Sequence, residues 1–526
     1  MSVHAVSLQV LVGALRAACE EMGAVLIRSA HSPNIKERRD CSTALFDPEG
    51  RLVMQAEHIP VHLGSMPDAV AAILGREQIP GKGWILNDPF EGGTHLPDIT
   101  LIRPVFADDA GRDRSAGEQG SGGRAELLGF AASRAHHADV GGPTPGGMPA
   151  DSTRLDEEGI MISPRLDNDL ESLADQMRNP RQRLADLRAQ QAANLTGESR
   201  LRELHERLGS DGLREGTEAI LDYAERRTRA ALEAVDDGTW EASDVLEGGA
   251  DGSEDIELRV RATLRGSNLE LDFTGSAQQV EGNLNCPLAV TKSASFFAVR
   301  ALTDPDAPAS AGAHRPVEVI APKGCVLNAR PGAAVVAGNV ETSSRVADLV
   351  LDVLADALDG PAQGQGTMNN LTLASTKAGG FTYYETLGGG QGACSDADGP
   401  SAVHVAMSNT LNTPIEALEQ EMPVRVRELG LRRGSGGEGR HRGGDGIVRE
   451  IEALEPMSFS LITERRRHRP KGRAGGEDGL EGRNLLNGEP LPAKCTGELA
   501  PGDVLRLETP GGGGWGARGS QHLSQG

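Results

Sequence analysis

The chain has 526 residues, of which 38% are hydrophobic and 3% aromatic, and it carries a formal net charge of −23 at pH 7. This length exceeds one ordinary hydrophobic core, so we expect two to four domains packed mainly with Ala, Val, Leu and Ile. The negative charge argues against nucleic acid as a partner, because attraction to phosphates requires a broad basic surface.

The cysteines and the N-terminal segment predict a cytoplasmic protein without a membrane partner. Six cysteines are scattered along the chain and no two have Cys-x-x-Cys spacing, which favours free thiols in a reducing compartment. The first 30 residues alternate apolar and charged residues at helical spacing, instead of forming the apolar run of a signal peptide. No later stretch is long and apolar enough to span a bilayer.

The N-terminal region predicts one amphipathic helix followed by short strands. Apolar residues recur at helical spacing over 6–28, which indicates the helix. Two β-type runs flank an Asp-Pro-Glu-Gly turn over 41–54 and predict a hairpin. Further strands are predicted at 84–86, 99–102 and 127–131. The polar, glycine-rich stretch 108–124 is interpreted as an exposed insertion between two strands.

The rest of the chain predicts a helical block and then mixed elements. Helical periodicity dominates 170–235, with breaks expected at Asn179-Pro180 and at glycines 197, 209 and 212. Alternation over 256–273 predicts paired strands. Helices are predicted at 286–302 and 342–358, the latter with Thr342 or Ser343 as its N-cap. Beyond residue 360, short strands alternate with glycine clusters.

These elements together predict an α+β (mixed α/β) multidomain protein. We expect four regions, each with a distinct composition. They are a metal-binding α/β region at 1–165, a helical block at 166–240, a mixed α/β domain at 241–380, and a glycine-rich, mostly β C-terminal region at 381–526.

Three clusters in the N-terminal region hold the ligand types of a divalent metal site. Carboxylate oxygens and imidazole nitrogens bind hard and borderline divalent cations. His95 and Asp98 follow a turn-rich segment, and their spacing lets both point into one cavity. Further ligands would come from strand ends and leave a position for water, as in a catalytic site. The candidates are Asp40, His95, Asp98 and the pair His136-His137, with Asp139 next to that pair.

Three other motifs favour structural roles. The glycine clusters at 388–392 and 434–439 lack the pattern of a phosphate-binding loop and are interpreted as turns or an interface. The basic run at 465–469 predicts a solvated loop that neutralises nearby acids, with an anion or phosphate contact, or a partner surface, as the alternative. Cys41 is interpreted as a half-buried strand thiol rather than a nucleophile, because no base lies near it in sequence.

Several segments closely resemble the hydantoinase B / ATP-dependent 5-oxoprolinase β-type family. The resemblance covers nearly the whole chain and includes Asn-Ile-Lys-Glu-Arg-Arg-Asp at 34–40 and Gly-Gly-Thr-His-Leu-Pro-Asp at 92–98. The other matching segments are 56–66, 136–142, 184–190, 272–276 and 338–343, together with the glycine-rich ending.

The resemblance implies a metal-containing B-type subunit of an ATP-dependent cyclic amidohydrolase that opens a hydantoin, 5-oxoproline or related lactam ring. It implies one divalent metal (zinc, manganese or iron) on Asp40, His95, Asp98 and His136. We expect His137 and Asp139 to orient ligands or to shuttle a proton. This chain has no evident phosphate-binding loop, so ATP with magnesium is expected on a separate A-type subunit in a hetero-oligomer.

Two alternatives remain open from the sequence. The first is a subunit of an ATP-dependent carboxylase of the acetone or acetophenone type. The second is a non-catalytic assembly subunit whose metal is structural. Loss of a structural metal is expected to unfold the chain, whereas loss of a catalytic metal is expected chiefly to abolish activity.

Overall fold

A six-stranded antiparallel sheet organises the N-terminal region of the computed structural model, which describes residues 5–57, 59–62, 64–107, 125–249, 254–377 and 379–518. The strand order is β2-β1-β5-β4-β3-β6. The strands are β1 (Cys41–Phe46), β2 (Leu52–Glu57), β3 (Trp84–Leu86), β4 (Asp98–Phe106), β5 (Leu127–His136) and β6 (Arg165–Leu166). The helices are α1 (Ala5–Ser29), α2 (Pro33–Lys36) and α3 (Met66–Leu74). The predicted helix, hairpin and strands are confirmed, and the insertion at 108–124 lies outside the described residues.

Helices cover both faces of this sheet. Helix α1 buries the apolar positions that predicted it, among them Leu15, Met22 and Leu26, against the sheet and the helical block. The opposite face packs against α3 through Met66 and Val70. Burial on both faces explains why β1 is buried at every position instead of alternating.

The helical block contains α4 (Leu170–Ala174) and the long α5 (Pro180–Glu233). Only one of the glycine breaks expected inside α5 is present. Gly209 has non-helical φ and ψ angles of 69° and 169° and kinks the element, whereas α5 continues through Gly197 and Gly212. Gly197 lies so close to α1 and β5 that a Cβ there would overlap the Met22 sulfur. The residue is therefore required for close packing and not for a break.

The central region combines a four-stranded sheet with three helices. The sheet order is β10-β9-β8-β7, and the parallel pairing of β10 with β9 completes it. Its strands are β7 (Gly238–Leu246), β8 (Ile256–Arg265), β9 (Asn268–Asp272) and β10 (Val317–Ile320), and its helices are α6 (Leu288–Thr303), α7 (Ala311–His314) and α8 (Ser343–Leu358).

A π-helical turn, Gly338–Thr342, runs directly into α8 and overturns the predicted N-cap. Thr342 has helical angles and makes no side-chain cap, and the hydroxyl of Ser343 donates to the carbonyl of Asn339. Both residues thus lie inside a continuous helical element. Single π-turns of this kind are frequently found at functional sites.

Two β-sheets form the C-terminal region, in the orders β12-β11-β15-β18 and β13-β14-β19-β16-β17. A short helix, α9 (Ile415–Glu421), precedes β13. Strand β11 pairs with β12 and β15, so one sheet extends across the boundary expected at residue 380, and the four-region division stays a prediction. The strands are β11 (Asn370–Ser375), β12 (Thr382–Glu385), β13 (Val424–Arg432), β14 (Gly446–Ala453), β15 (Met457–Ile462), β16 (Arg483–Leu486), β17 (Glu489–Leu491), β18 (Lys494–Leu499) and β19 (Val504–Glu508).

These regions together confirm a mixed α+β fold. Among the described residues, no helix has both the length and the apolar character needed to cross a membrane. All six cysteines are free. Cys41 is fully buried rather than half-buried, and burial raises the pKa of its thiol.

The basic run at 465–469 is less solvated than its charge suggests. Arg467 and Arg469 pair with acidic groups near the surface, at Asp255 and Glu481, as expected for a neutralising loop. Arg465, in contrast, is fully buried and contacts the carboxylates of two other segments. The charge of Arg465 is therefore paired in the protein interior and not at the surface.

The glycine clusters pack against one another through their backbones. The amide of Gly390 donates to the Pro510 carbonyl at 3.0 Å, and Gly512 donates to Gly444 at 2.9 Å. A Cβ on Gly512 would overlap the carbonyl oxygen of Gln391. Only glycine permits such a close approach of neighbouring chains, which accounts for the glycine-rich composition.

We therefore expect Gly512→Ala to lower the free energy of unfolding by about 1–3 kcal/mol or more, since the methyl group forces the packed backbones apart. Chemical denaturation followed by circular dichroism measures the change. Gly430→Ala is the matched control, because a Cβ on that exposed strand meets no atom within 4 Å. Equal midpoints for Gly512→Ala and the control would contradict the close packing.

Candidate metal centre

Three of the predicted ligands converge in a buried cluster. The Oδ1 atom of Asp98 lies 3.1 Å from His95 Nε2 and 3.2 Å from His136 Nδ1. The ligand atoms of the three side chains all lie within 4.8 Å of one another. Metal–ligand bonds of about 2.0–2.1 Å place neighbouring ligands roughly 3.0–3.4 Å apart, so the two short spacings suit one shared cation.

Sheet register brings these ligands together. Asp98 is the first residue of β4 and His136 the last of β5, and the two are direct cross-strand partners. His95 lies in the loop between β3 and β4. The Asn87 side chain holds that loop, donating to the Leu96 carbonyl at 2.7 Å and accepting from the Ile162 amide at 2.6 Å.

Asp40 lies at the same end of the sheet, directly before β1. Its carbonyl accepts a hydrogen bond from the His136 amide at 3.0 Å, and the residue lines the cavity beside the cluster. Among the described residues, however, the group with ligand atoms inside 4.8 Å comprises only His95, Asp98 and His136. Asp40 is thus part of the cavity wall, farther from the centre than the other three.

His62 is a neighbour of the cluster that sequence reasoning missed. Its Nε2 atom lies 3.4 Å from Asp98 Oδ2, and its Nδ1 atom lies 2.9 Å from the Ser42 hydroxyl. The short 3₁₀-helix Pro60–His62 presents the imidazole to the site. The available signals were its place in the matching segment 56–66 and its spacing of four residues from His58 in the sequence.

The two residues predicted to act on protons lie away from the cavity. His137 Nε2 is 3.0 Å from Gln190 Oε1 of α5, and burial together with the charge of Arg183 lowers the pKa of His137 to about 4. The Asp139 carboxylate accepts from the amides of Gly141 and Gly146 and pairs with Arg178. Both side chains stabilise the segment that follows β5.

A small cavity adjoins the cluster. About 20 Å³ is open to the centre of a water molecule, which is room for roughly one water. The walls combine elements of all the described regions except the helical block. Besides the cluster they include Asp40, His62, Asn339, Tyr384, Thr386, Ser408 and Thr410.

Side chains from distant segments contact the cluster histidines. Asn339 Nδ2 lies 3.1 Å from His95 Nε2, and the Tyr384 ring stacks on His136 with centroids 4.7 Å apart. The Tyr384 hydroxyl donates to Asn370 Oδ1 at 2.7 Å. The Asn370 amide donates in turn to Glu341 Oε1, also at 2.7 Å. A continuous set of contacts therefore links His136 to Glu341 in the π-helical turn.

The two buried carboxyl groups differ in charge. Burial opposes ionisation of Asp98, but the charge of His95 and hydrogen bonds from His136 and His62 outweigh it and hold the Asp98 pKa well below its usual range. Burial, with the nearby charge of Glu464, raises the pKa of Glu341 to about 8. Asp98 is therefore ionised, whereas Glu341 is neutral at pH 7.

This difference predicts how Glu341→Gln changes the pH dependence of stability. Between the ordinary glutamate pKa of about 4.5 and the folded-state value of about 8, only the folded chain holds the extra proton. Wild-type stability should fall with rising pH in that window, by up to about 1.4 kcal/mol per pH unit from this group. Gln keeps the acceptor for Asn370 but does not titrate, so the variant should lose less stability. Urea unfolding from pH 5 to 8 measures both slopes.

Glu489→Gln, a change at an exposed strand residue, is the control for this experiment. It should follow the wild-type slope. If Glu341→Gln also followed the wild-type slope, Glu341 would be ionised in the folded chain, and the assignment of a neutral carboxyl would be wrong.

Comparison with known proteins identifies the family. The sequence model described as Hydantoinase B/oxoprolinase matches residues 4–518. The chain is 39% identical to 5-oxoprolinase 1 of Arabidopsis thaliana over 541 residues, which cover 95% of this chain but 40% of that protein. It is 29% identical over 552 residues to a putative B-type subunit of the D-/L-hydantoinase of Pseudomonas sp., covering 98% of this chain and 90% of that one.

A solved structure has the same fold along almost the whole chain. The crystal structure of ATP-dependent caprolactamase from Pseudomonas jessenii superposes with a TM-score of 0.89 at 27% identity, covering 98% of this chain and 92% of that chain. The chain spans less than half of the length of the Arabidopsis protein but nearly all of the caprolactamase chain, and the family model matches nearly all of this chain. It belongs to the hydantoinase B/oxoprolinase family.

Proposed function

We propose that this chain is the metal-containing B-type part of an ATP-dependent cyclic amidohydrolase that opens a hydantoin, 5-oxoproline or related lactam ring. The observation that carries the proposal is the convergence of His95, Asp98 and His136 on one buried point in a chain of this family. Its relatives are named as a 5-oxoprolinase, a hydantoinase and a caprolactamase. Each of these names indicates a cyclic amide as the reacting group.

The side chains fit one divalent metal such as zinc, manganese or iron. Two imidazoles and one ionised carboxylate form a mixed nitrogen and oxygen donor set that suits each of these ions. His136 Nε2 is buried without a hydrogen-bond partner, as expected around a site that takes an additional ligand. His95, Asp98 and His136 would hold the metal, and Asp40 remains the proposed fourth ligand. When bound, such a metal polarises a carbonyl and lowers the pKa of a water molecule.

The protein side chains would supply orientation and exclude water. Tyr384 and Asn339 restrict the rings of His136 and His95, and the buried walls keep bulk solvent from the cluster. We assign His137 and Asp139 a positioning role, because the His137 amide donates to Pro97 in the ligand loop and Asp139 anchors the turn after β5. The cavity has room for about one water, so a ring reaches the cluster only when its walls separate.

ATP with magnesium would bind outside the residues described. In the described part of the chain, the amides of Gly389, Gly390 and Gly437 donate to backbone carbonyl groups, which supports a structural role for these clusters over phosphate binding. A separate A-type subunit is the proposed carrier of ATP, in a hetero-oligomer. The Pseudomonas hydantoinase relative, which is named as one subunit and which this chain covers almost entirely, supports that arrangement.

We expect about one divalent metal per chain in the wild type and its loss in His95→Ala and Asp98→Ala. Elemental analysis measures the metal, and circular dichroism checks the fold. With an A-type subunit and ATP, ring opening should fall more than about 100-fold in both variants, because even residues one step removed from a metal cost 10- to 100-fold. His441→Ala is the control, since that histidine lies away from the cluster, near Asp398.

A folded, metal-free wild type purified without chelator would refute the metal centre. Unfolding of both variants on metal loss would instead select the assembly-subunit alternative. Bicarbonate-dependent consumption of acetone or acetophenone by the reconstituted complex would select the carboxylase, and ring opening without ATP would contradict the proposed reaction.

A further inference from the structure

Arg38 is a fully buried cation beside the cavity, and most of its hydrogen-bonding capacity is unused. Its Nη2 atom donates to the hydroxyls of Thr386 at 2.8 Å and Thr410 at 3.0 Å. Its Nε and Nη1 atoms are buried without a hydrogen-bond partner, and its guanidinium carbon lies 5.8 Å from the centroid of the Tyr384 ring. A guanidinium group stays charged in proteins, and burying a charge without a counter-charge is costly.

The other fully buried arginines have partners that Arg38 lacks. Arg183, Arg345 and Arg465 each lie within 4.0 Å of a carboxylate. Arg134 has no such carboxylate, but its Nε, Nη1 and Nη2 atoms all donate to oxygen. Among the residues that the structure describes, no carboxylate lies within that distance of Arg38. In the described residues, therefore, no neighbouring carboxylate neutralises the positive charge of Arg38.

Three hydroxyls in front of Arg38 form one wall of the cavity, and we call Thr386, Ser408 and Thr410 the hydroxyl wall. His404 lies behind it. The Thr386 and Thr410 hydroxyls are 2.7 Å apart, Thr410 lies 3.2 Å from His404 Nε2, and Ser408 is hydrogen-bonded to His404 Nδ1. Burial and the charge of Arg38 lower the pKa of His404 to about 3, so the imidazole is neutral.

A count of the protons shows that one hydroxyl group of this wall has a proton that these contacts do not use. Three hydroxyls and one neutral imidazole supply four protons, whereas the three contacts between them use three. The imidazole nitrogen without a proton must accept, so the unused proton belongs to a hydroxyl. All three hydroxyl residues line the cavity. The wall therefore offers a hydrogen-bond donor, and behind it a positive charge, to whatever occupies the cavity.

We propose that Arg38 and the hydroxyl wall bind an oxyanion of the ring substrate, facing the cluster of His95, Asp98 and His136 across the cavity. The inference rests on the proposed function and adds the chemistry of the substrate group that is recognised. Two sources supply such an oxyanion, a carboxylate on the ring, as in 5-oxoproline, or a phosphoryl group transferred from ATP. Arginine suits either, because it keeps its positive charge and the N–H groups of its Nε and Nη1 atoms have no hydrogen-bond partner.

The wall and the cluster have complementary tasks in this arrangement. Once the walls have separated to admit a ring, an anion held at the wall would place the neighbouring ring carbon toward the proposed metal ligands, since both line the same cavity. Lysine at position 38 would keep the charge but lose the planar set of N–H donors, whereas glutamine would lose the charge. The pair of variants separates charge from geometry.

The experiment uses the complex of this chain with its A-type partner, ATP, and two rings, 5-oxoproline and the uncharged hydantoin. We expect Arg38→Gln to keep its metal and to lose about 10- to 100-fold in kcat/KM, the effect typical of losing a hydrogen bond to a charged group. A loss confined to 5-oxoproline, through KM, would identify the carboxylate. An equal loss on both rings, with ATP still consumed, would identify the phosphoryl group.

Arg449→Lys is the matched control, because that buried arginine pairs with Glu385 in the C-terminal sheets. It should reduce stability without changing kcat/KM on either ring. Ser408→Ala is a second, smaller change at the wall and should show the same substrate pattern as Arg38→Gln, more weakly. Wild-type kcat/KM on both rings in a folded, metal-loaded Arg38→Gln would overturn the proposal.

Binding of inorganic phosphate to the purified chain tests the anion site separately from the reaction. Calorimetry should detect phosphate on the wild type and on Arg449→Lys, and at least about tenfold weaker binding to Arg38→Lys and Ser408→Ala. If no ring were opened while this pattern held, the proposed function would fail and the anion site would stand. Equal phosphate affinity in all four proteins, or none in the wild type, would refute the site itself.

Discussion

The register between β4 and β5 is the constraint on which the candidate metal centre depends. Antiparallel pairing sets Asp98 opposite His136, and β1 on the other side of β5 brings Asp40 beside the same histidine. Because side chains alternate between the two faces of a strand, a shift of one residue would turn a ligand to the opposite face. Helix α5 holds the register, since the Gln190 amide donates to carbonyl groups of both strands.

The sequence predicted those residues of the candidate centre that lie close to one another along the chain. His95 and Asp98 share one turn, so their spacing predicted that both point into one cavity, and the further ligands were expected from neighbouring strand ends. Residue types alone left open which member of the pair His136-His137 joins them, because either imidazole can bind a metal. Strand alternation decides between the two: His136 faces Asp98, and His137 faces α5.

The remaining walls come from segments far apart in the sequence, and no periodicity reveals that they meet. His62 arrives on a single 3₁₀ turn, and Asn339 and Tyr384 arrive from other regions. The N-cap prediction failed for a related reason. The hydroxyls of Thr342 and Ser343, which usually indicate a helix start, lie inside an element that a π-turn lengthens at its beginning. Arg38 belonged to a matching segment, yet its lack of a counter-charge is visible only in three dimensions.

The small volume beside the cluster has a kinetic consequence. Under the proposed function, a five-membered ring would exceed the space of about one water, so each turnover would require the walls to separate and close again. Release of the product would require the same separation of the cavity walls. Under the proposed function, the frequency of opening then sets an upper limit on turnover, as it does in many enzymes with closing loops. A partner protein that docks against these walls would control the rate without touching the bond that breaks.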